Sequence, residues 1–185
     1  MSRVIVPQKL HDEISERAGE LAKSLSVGPG SERTKFGLNM GSMISELQRD
    51  RAINLCQKAQ TEGATTVTGG HKLNRPGWFL EPTVFSNVKP DMEIAQVEVF
   101  GPVLSIIPYE TDEQAISIAN GTEYGLVSGV FTKDLDRAMS SAKKMRAGQV
   151  FVNEWFAGGV ETPFGGYGKS GYGREKGREA LWNYI

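Results

Sequence analysis

Glu98-Val99-Phe100-Gly101-Pro102-Val103-Leu104 places an acid two residues before an aromatic ring and a Gly-Pro pair directly before an apolar run. Gly101 allows a backbone geometry that a side chain forbids, and Pro102 suits the first position of a strand because it lacks an N–H donor. The pattern predicts a tight loop that carries Glu98 and Phe100 and feeds a buried strand, in a region where α/β proteins hold ligands. A surface acid beside a core phenylalanine is the plainer alternative.

Downstream of this loop, strand and helix patterns alternate. The apolar run predicts a strand over 103–109, a capping box at 111–114 opens a helix that ends at Asn120, and strand, helix and strand follow at 126–131, 134–146 and 149–152. This alternation predicts an α/β fold with a mostly parallel sheet flanked by helices and joined by right-handed crossovers. Since no repeat or Pro/Ser-rich linker interrupts the chain, we expect a single domain over residues 1–185.

The upstream half carries two amphipathic helix patterns. A short strand at 3–6 precedes a helix from Gln8, and a second helix is expected over 43–61. The expected apolar face of the first helix is Leu10, Ile14, Leu21 and Leu25, and that of the second is Ile44, Leu47, Leu55 and Ala59. Between these helices and the loop, the sequence predicts a loop at 31–42, a strand at 64–68, an extended segment at 77–85 and one helical turn at 92–96.

Composition excludes several classes of function. The 185 residues carry a net charge of −1, which gives no electrostatic reason to expect nucleic acid or a membrane as a partner. No apolar run approaches the roughly 18 residues of a membrane span. His11 and His71 lack the spacing of metal ligands, and a single cysteine forms neither an internal disulfide nor a multi-cysteine metal site. We therefore expect a cytoplasmic, enzyme-like domain that holds no metal.

The one cysteine, Cys56, falls inside the second expected helix. A nucleophilic thiol needs a partner that lowers its pKa, or a position at a helix N-terminus. The sequence around Cys56 offers neither, so we expect an inert, partly buried thiol.

A glycine-rich stretch over 163–173 follows the last strand. Gly166-Tyr167-Gly168-Lys169-Ser170-Gly171 matches the dinucleotide pattern G-x-G-x-x-G, but too few residues follow it to build the second strand that this fingerprint needs. The phosphate-binding P-loop pattern is absent as well. We expect a tight loop and then a final helix from about Arg174. Trp155 and Phe156, just after the last strand, could line an apolar pocket or simply cover the edge of the core.

Taken together, these segments resemble the aldehyde dehydrogenase superfamily. The matching stretches cover nearly the whole chain in order and spacing: Gly69-Gly70, Glu81-Pro82-Thr83-Val84, Glu98-Val99-Phe100-Gly101-Pro102-Val103, Ala119-Asn120 with Tyr124-Gly125-Leu126, Ala147-Gly148 with Val152-Asn153, and Pro163-Phe164-Gly165-Gly166 through Ser170-Gly171-Tyr172-Gly173-Arg174-Glu175. The resemblance implies the fold of that family's catalytic domain and the oxidation of an aldehyde to a carboxylic acid with NAD or NADP as cofactor. Covalent attack by a cysteine thiolate and hydrolysis of a thioester would be the chemical steps.

The resemblance also implies roles for individual residues. Glu98 matches a family glutamate that contacts the nicotinamide ribose, and Phe100 matches an aromatic that lies beside the nicotinamide ring. Phe164 matches a phenylalanine at the border of the aldehyde pocket, to which we add Trp155 and Phe156. Glu175 matches a glutamate near the active site, with a structural or proton-relaying role. Many family members carry two acids before the element that matches Phe100-Gly101-Pro102, whereas Gln96-Val97-Glu98 keeps only the second.

The family's nucleophilic cysteine, its water-activating glutamate and its Rossmann cofactor domain would lie upstream of Met1 and are not in this sequence. We therefore expect most of a catalytic domain, truncated and inactive by itself, from an enzyme that forms a homo-oligomer at full length. In the family a last strand, which this chain lacks, joins the sheet of a neighbouring subunit. The alternative is a non-catalytic assembly or regulatory module that retains the fold.

Overall fold

A computed structural model describes residues 2–32, 39–156 and 158–185 of the chain. Its helices and strands alternate, which confirms the expected α/β class. Backbone contacts group the chain into two compact units, Met1–Thr111 and Asp112–Ile185. The single-domain expectation stays a prediction.

The first unit is built on a four-stranded sheet. Its elements are β1 (Arg3–Pro7), α1 (His11–Ser24), β2 (Ser26–Val27), β3 (Asn39–Met40), α2 (Glu46–Thr61), β4 (Thr65–Thr68), β5 (Thr83–Ser86), α3 (Glu93–Gln96) and β6 (Val103–Tyr109), with 3₁₀ turns at Gln8–Leu10 and Gly30–Glu32. The sheet order is β1-β6-β5-β4, with β6 parallel to both β1 and β5, while β4 runs antiparallel to β5. The short strands β2 and β3 pair in parallel as a separate two-stranded sheet.

The strand predicted from the apolar run is the centre of this sheet. β6 runs over Val103–Tyr109, the predicted bounds, and Ile106 and Ile107 are completely buried. Ile106 stands opposite Val4 on β1 and packs with Val6, Val84 and Ala22 in one core cluster. Burying an isoleucine side chain stabilises a fold by about 1.5–3 kcal/mol, so this strand fixes the register of its neighbours.

Helix α1 packs on the sheet through small and polar side chains, contrary to part of the expected face. Its buried residues are His11, Ser15, Gly19 and Ala22, and Ile14 and Ala18 border the core cluster as expected. Leu10 and Leu21 are exposed, so their predicted burial is wrong. The reason is close approach: a Cβ at Gly19 would lie 2.6 Å from Val67 Cγ1, which leaves no space for larger residues on that stripe.

Helix α2 begins three residues later than predicted. The Ser45 hydroxyl accepts a hydrogen bond from the backbone N–H of Gln48 at 3.2 Å and caps the helix. Ile44 therefore lies outside the helix, and both Ile44 and Leu47 are exposed, which overturns their expected burial. Leu55 and Ala59 are buried as predicted.

Three other expectations for the first unit have separate outcomes. Of the extended segment at 77–85, only the last residues join a strand, and Leu80 forms an isolated bridge with Lys72. The single turn at 92–96 is confirmed as α3. The predicted loop at 31–42 contains the end of the 3₁₀ turn and β3, and its residues 33–38 lie outside the described part of the chain.

The second unit contains α4 (Asp112–Asn120), β7 (Val127–Val130), α5 (Leu135–Lys144) and β8 (Gln149–Val152), followed by a glycine-rich segment. β7 and β8 pair in parallel as a two-stranded sheet, in agreement with the expected parallel pairing of strands joined by helices. The final helix is a 3₁₀ segment over Arg178–Asn183. Lys176 and Gly177 have positive φ, a conformation that an α-helix starting at Arg174 could not contain.

Candidate functional site

The loop at 98–102 lies directly before β6 and is held by side chains of α2. Gln48 Nε2 donates hydrogen bonds to two successive backbone carbonyls, those of Val99 at 2.8 Å and Phe100 at 3.2 Å. Arg51, one turn further along α2, donates from Nη2 to the carbonyl oxygen of Glu98 at 3.4 Å. Because three consecutive carbonyls point toward α2, the course of the loop is set by that helix.

Side chains of the loop alternate between outward and inward positions. Val99 is buried, whereas Glu98 is exposed and Phe100 is 67% exposed. Phe100 has a φ of 53°, in the left-handed region that is uncommon for a large side chain. The plainer alternative of a core phenylalanine is therefore wrong, and both residues that the sequence singled out are presented on the surface of the first unit.

Several of the family-like motifs meet at the edge of the sheet beside this loop. The backbone N–H of Thr83 donates to the carbonyl of Pro102 at 2.8 Å, and the Thr83 hydroxyl accepts from the N–H of Gly70 at 2.8 Å. A Cβ at Gly69 would lie 2.3 Å from the carbonyl oxygen of Pro82, so only glycine fits there. This edge holds the amino ends of β5 and β6, so the loop is not at the carboxyl ends where parallel sheets usually bind ligands.

In the second unit, Asn153 closes the ends of β7 and β8. Its Oδ1 accepts from the N–H of Thr132 and its Nδ2 donates to the carbonyl of Thr132, both at 2.8 Å. Its own N–H donates to the carbonyl of Val130 at 2.8 Å. Asn153 has a φ of 56°, which asparagine tolerates better than most residues. This residue directs the chain into the aromatic segment that follows.

Trp155 and Phe156 come together with Phe151 in an aromatic cluster. The ring centroids are 5.7 Å apart for Trp155 and Phe156, 5.8 Å for Phe151 and Phe156, and 6.1 Å for Phe151 and Trp155. A Cβ at Gly129 would touch the Trp155 ring at 3.1 Å, so the indole lies over β7. Phe156 is exposed and has a φ of 61°. The cluster thus offers an apolar surface at the carboxyl end of β8.

Phe164 belongs to a different part of the second unit. Its backbone exchanges two hydrogen bonds of 2.7 Å with Glu175, and the Lys176 ammonium lies 5.8 Å from the centre of its ring. The pairing places Phe164 and Glu175 side by side, although any residue could make these backbone bonds. The Glu175 side chain is exposed.

The glycine-rich segment packs backbone against backbone on the start of β8. A Cβ at Gly148 would lie 1.6 Å from the carbonyl oxygen of Gly165. The side-chain amide of Gln149 donates to the carbonyl of Pro163 at 2.8 Å, and Arg174 donates from Nη1 to the carbonyl of Gly166 at 3.1 Å. These contacts confirm the expected tight loop and explain its glycines.

A cavity of about 450 Å³ lies between the start of β8 and this segment. Phe151, Pro163, Thr162 and Arg174 are among the residues that line it. The residues predicted for the substrate pocket, Trp155, Phe156 and Phe164, are not among these lining residues. Phe151, which the sequence analysis did not single out, both lines the cavity and joins the aromatic cluster.

Cys56 has the environment expected of an inert thiol. It is 1% exposed, and burial raises its pKa from 9.0 to about 11. Burial and a raised pKa both lower the population of the thiolate, which is the nucleophilic form. Among the described residues, no group of three or more His, Cys, Asp and Glu side chains could hold a metal ion. No helix in the same part of the chain is both long and apolar enough to cross a membrane.

Comparison with known proteins gives the family of this α/β chain, whose glycine, proline and acidic motifs meet at one sheet edge. The model of the aldehyde dehydrogenase family matches residues 1–185, and the chain belongs to this family. It is 40% identical over 184 residues to aldehyde dehydrogenase, cytosolic 1, of Mus musculus, and it covers 36% of that protein. The chain thus spans a little over a third of the length of this relative.

Solved structures agree with the assignment. An NAD⁺ complex of the Bacillus cereus aldehyde dehydrogenase superposes on 99% of this chain with a TM-score of 0.93 and 37% identity, and the match covers 37% of that chain. The Mycobacterium tuberculosis aldehyde dehydrogenase complexed with NAD⁺ gives a TM-score of 0.92 and 40% identity over 99% of this chain and 38% of that one. The fold expected from the resemblance is therefore confirmed.

Proposed function

We propose that this chain is part of an NAD(P)-dependent aldehyde dehydrogenase that oxidises an aldehyde to a carboxylic acid. Its family membership supports this reaction class, and the NAD⁺ complexes of two similar enzymes support NAD as the cofactor. The choice between NAD and NADP depends on contacts outside this chain. A cytoplasmic location and a homo-oligomer at full length belong to the same proposal.

The observation that carries the proposal is the outward pair on the loop, Glu98 and Phe100. A carboxylate accepts hydrogen bonds from ribose hydroxyls, and an exposed aromatic ring offers a flat face to a nicotinamide. Both groups are exposed on a loop held by α2, so the residues present fit the nicotinamide end of the cofactor. When bound there, the cofactor would take up the hydride from the aldehyde carbon.

The aldehyde would lie against aromatic side chains. Trp155 and Phe156 form part of the apolar cluster at the end of β8, and Phe164 lies in the glycine-rich segment. These rings favour an apolar or aromatic aldehyde, because they offer dispersion contacts and exclude water. For Glu175 we propose an auxiliary role, structural or proton-relaying.

The nucleophile of the reaction is proposed to lie outside this sequence. The only cysteine of the 185 residues is Cys56, which is buried and stays protonated well above neutral pH. A thioester intermediate therefore needs a cysteine from another part of the complete protein. By itself this chain is expected to be inactive.

The test is aldehyde-dependent formation of NADH by the purified chain, followed by its absorbance, with the variant Cys56→Ala as a matched control. We expect no turnover by either protein, and no NAD binding strong enough for calorimetry. Turnover that disappears in Cys56→Ala would contradict the assignment of the nucleophile. Clear saturable binding of NAD would contradict the expectation that another domain supplies most of the cofactor contacts.

The alternative of a non-catalytic module makes a different prediction. A complete protein of this family should oxidise aldehydes when an upstream segment that supplies a thiolate is present. If the natural protein begins at Met1 and does not bind a nicotinamide nucleotide, the assembly or regulatory role is the better explanation.

A further inference from the structure

We propose that Gln48 is a positioning residue, whose side-chain amide fixes the 98–102 loop so that Glu98 and Phe100 face outward as a preorganised pair. The inference rests on the proposed function of that pair at the nicotinamide end of the cofactor. Nothing in the sequence pattern marks Gln48, since it is one of several polar residues on α2. The assignment comes from its contacts alone.

Two donors on one amide group explain why this residue is suited to the task. Gln48 Nε2 reaches the carbonyls of Val99 at 2.8 Å and Phe100 at 3.2 Å, and these carbonyls are neighbours in the chain. Bonding two successive peptide groups fixes both the position and the rotation of the loop, whereas one bond would leave it free to pivot. Arg51 adds a longer contact of 3.4 Å to Glu98.

The loop needs this support because the backbone conformation of Phe100 is uncommon. Phe100 adopts a φ of 53° while the residue is 67% exposed, so packing of its side chain supplies little of the force that keeps it there. Val99 is buried, and a Cβ at Gly101 would lie 3.2 Å from Met43 Cε and 3.4 Å from Ala52 Cβ. The loop thus packs at Gly101 against Met43, which precedes α2, and against Ala52 of α2, while Gln48 fixes the carbonyls of Val99 and Phe100.

Helix α2 is a firm support for the amide. Ser45 caps its first turn through the N–H of Gln48 itself, so the backbone of the positioning residue is tied to the helix end. Ala52, on the same helix, is completely buried. Motion of the loop relative to α2 therefore requires breaking the two bonds of the Gln48 amide.

The variants Gln48→Ala and Gln48→Glu remove the amide donors, the second with almost no change in volume. Gln57→Ala, at an exposed position of the same helix, is the matched control. In the 185-residue chain we measure amide hydrogen exchange at 99–101 and the rate of chymotrypsin cleavage after Phe100, quantified by mass spectrometry. Because two ordinary hydrogen bonds are lost, both rates should rise about 5- to 30-fold in the Gln48 variants and stay at the wild-type value in Gln57→Ala.

A second readout separates positioning from mere stability. Nicotinamide mononucleotide is titrated into isotope-labelled chain, and backbone NMR shifts of Glu98 and Phe100 are followed. We expect wild type and Gln57→Ala to respond alike and the Gln48 variants to bind several-fold more weakly, while the melting temperatures of all four proteins stay close together.

The two measurements fail independently. Unchanged exchange and cleavage in both Gln48 variants overturn the role of Gln48, whatever the nucleotide does. A loosened loop in these variants, with no nucleotide-induced shifts at Glu98 or Phe100 in the wild type, overturns the assignment of that pair to the cofactor and with it the positioning role.

Discussion

Among single residues, Cys56 links burial, reactivity and stability most directly. It is 1% exposed on α2, and burial raises its pKa from 9.0 to about 11. The thiolate is the reactive form, and both burial and protonation suppress it. We expect Ellman's reagent to react with the thiol slowly in the native chain at neutral pH and quickly after unfolding in guanidinium. Rapid, complete labelling of the native chain would contradict the buried position.

The same shift predicts how stability depends on alkaline pH. The folded-state pKa is higher than the unfolded value, so the unfolded chain loses the thiol proton first as pH rises. The contribution of the buried thiol to the free energy of unfolding is therefore fully present below pH 9.0 and is lost as pH rises toward about 11. Between roughly pH 8 and pH 10 the loss should be on the order of 1 kcal/mol. Urea unfolding of the wild type and of Cys56→Ala at both pH values isolates the loss of stability that is due to the thiol. Equal losses in the two proteins would contradict this prediction.

Elements with a strong local signal could be predicted from sequence, and those set by close packing could not. β6 and β8 have the expected bounds because a continuous apolar run and a following turn define them without help from the rest of the chain. The apolar face of α1 was partly wrong because Gly19 lets the helix approach Val67 so closely that small residues, not leucines, face the sheet. Periodicity reports hydrophobicity, and it carries no information on the distance between two elements.

The candidate site shows the same division. Glu98 and Phe100 could be singled out as candidates because they lie in a recognisable motif, and their roles stay predictions. Gln48 could not, because its role depends on a contact with residues about 50 positions away, and an isolated glutamine on a helix has no local signature. Residues that bind a backbone carbonyl from a distance become visible only when the fold is known.

The approach of the glycine-rich segment to β8 is an element-scale feature with a measurable consequence. A Cβ at Gly148 would lie 1.6 Å from the carbonyl oxygen of Gly165. This oxygen belongs to the backbone, which cannot move aside like a flexible side chain. We expect Gly148→Ala to destabilise the chain by about 2–4 kcal/mol, in the range of other backbone and overpacking effects. Thermal and urea unfolding measure the change.

Gly158→Ala is the matched control for that variant. A Cβ at Gly158 would lie 3.7 Å from the nearest atoms, which is ordinary van der Waals contact. Its stability should stay within about 0.5 kcal/mol of the wild type. If both variants lost the same stability, the cause would be the general replacement of glycine and not the close approach at Gly148.

For the whole chain, the exposed apolar side chains predict association. α5 in the second unit buries Ala138 but leaves Leu135 72% exposed and Met139 47% exposed, four residues apart on one face. An apolar helix face in water favours a partner, and identical chains offer one another such a face. We expect sedimentation velocity to show oligomers that dissociate on dilution. Leu135→Glu should shift the equilibrium toward monomer because a carboxylate on that face resists burial, and it suits the first turn of a helix.

The control for this experiment adds the same charge elsewhere on α5. Ser140→Glu lies on the same helix at an exposed position, so it changes net charge equally without altering the face of Leu135 and Met139. A difference between the two variants assigns the association to that face, because any effect of net charge on solubility is common to both. A wild-type chain that stays monomeric at every concentration would instead mean that the exposed leucine and methionine do not drive association.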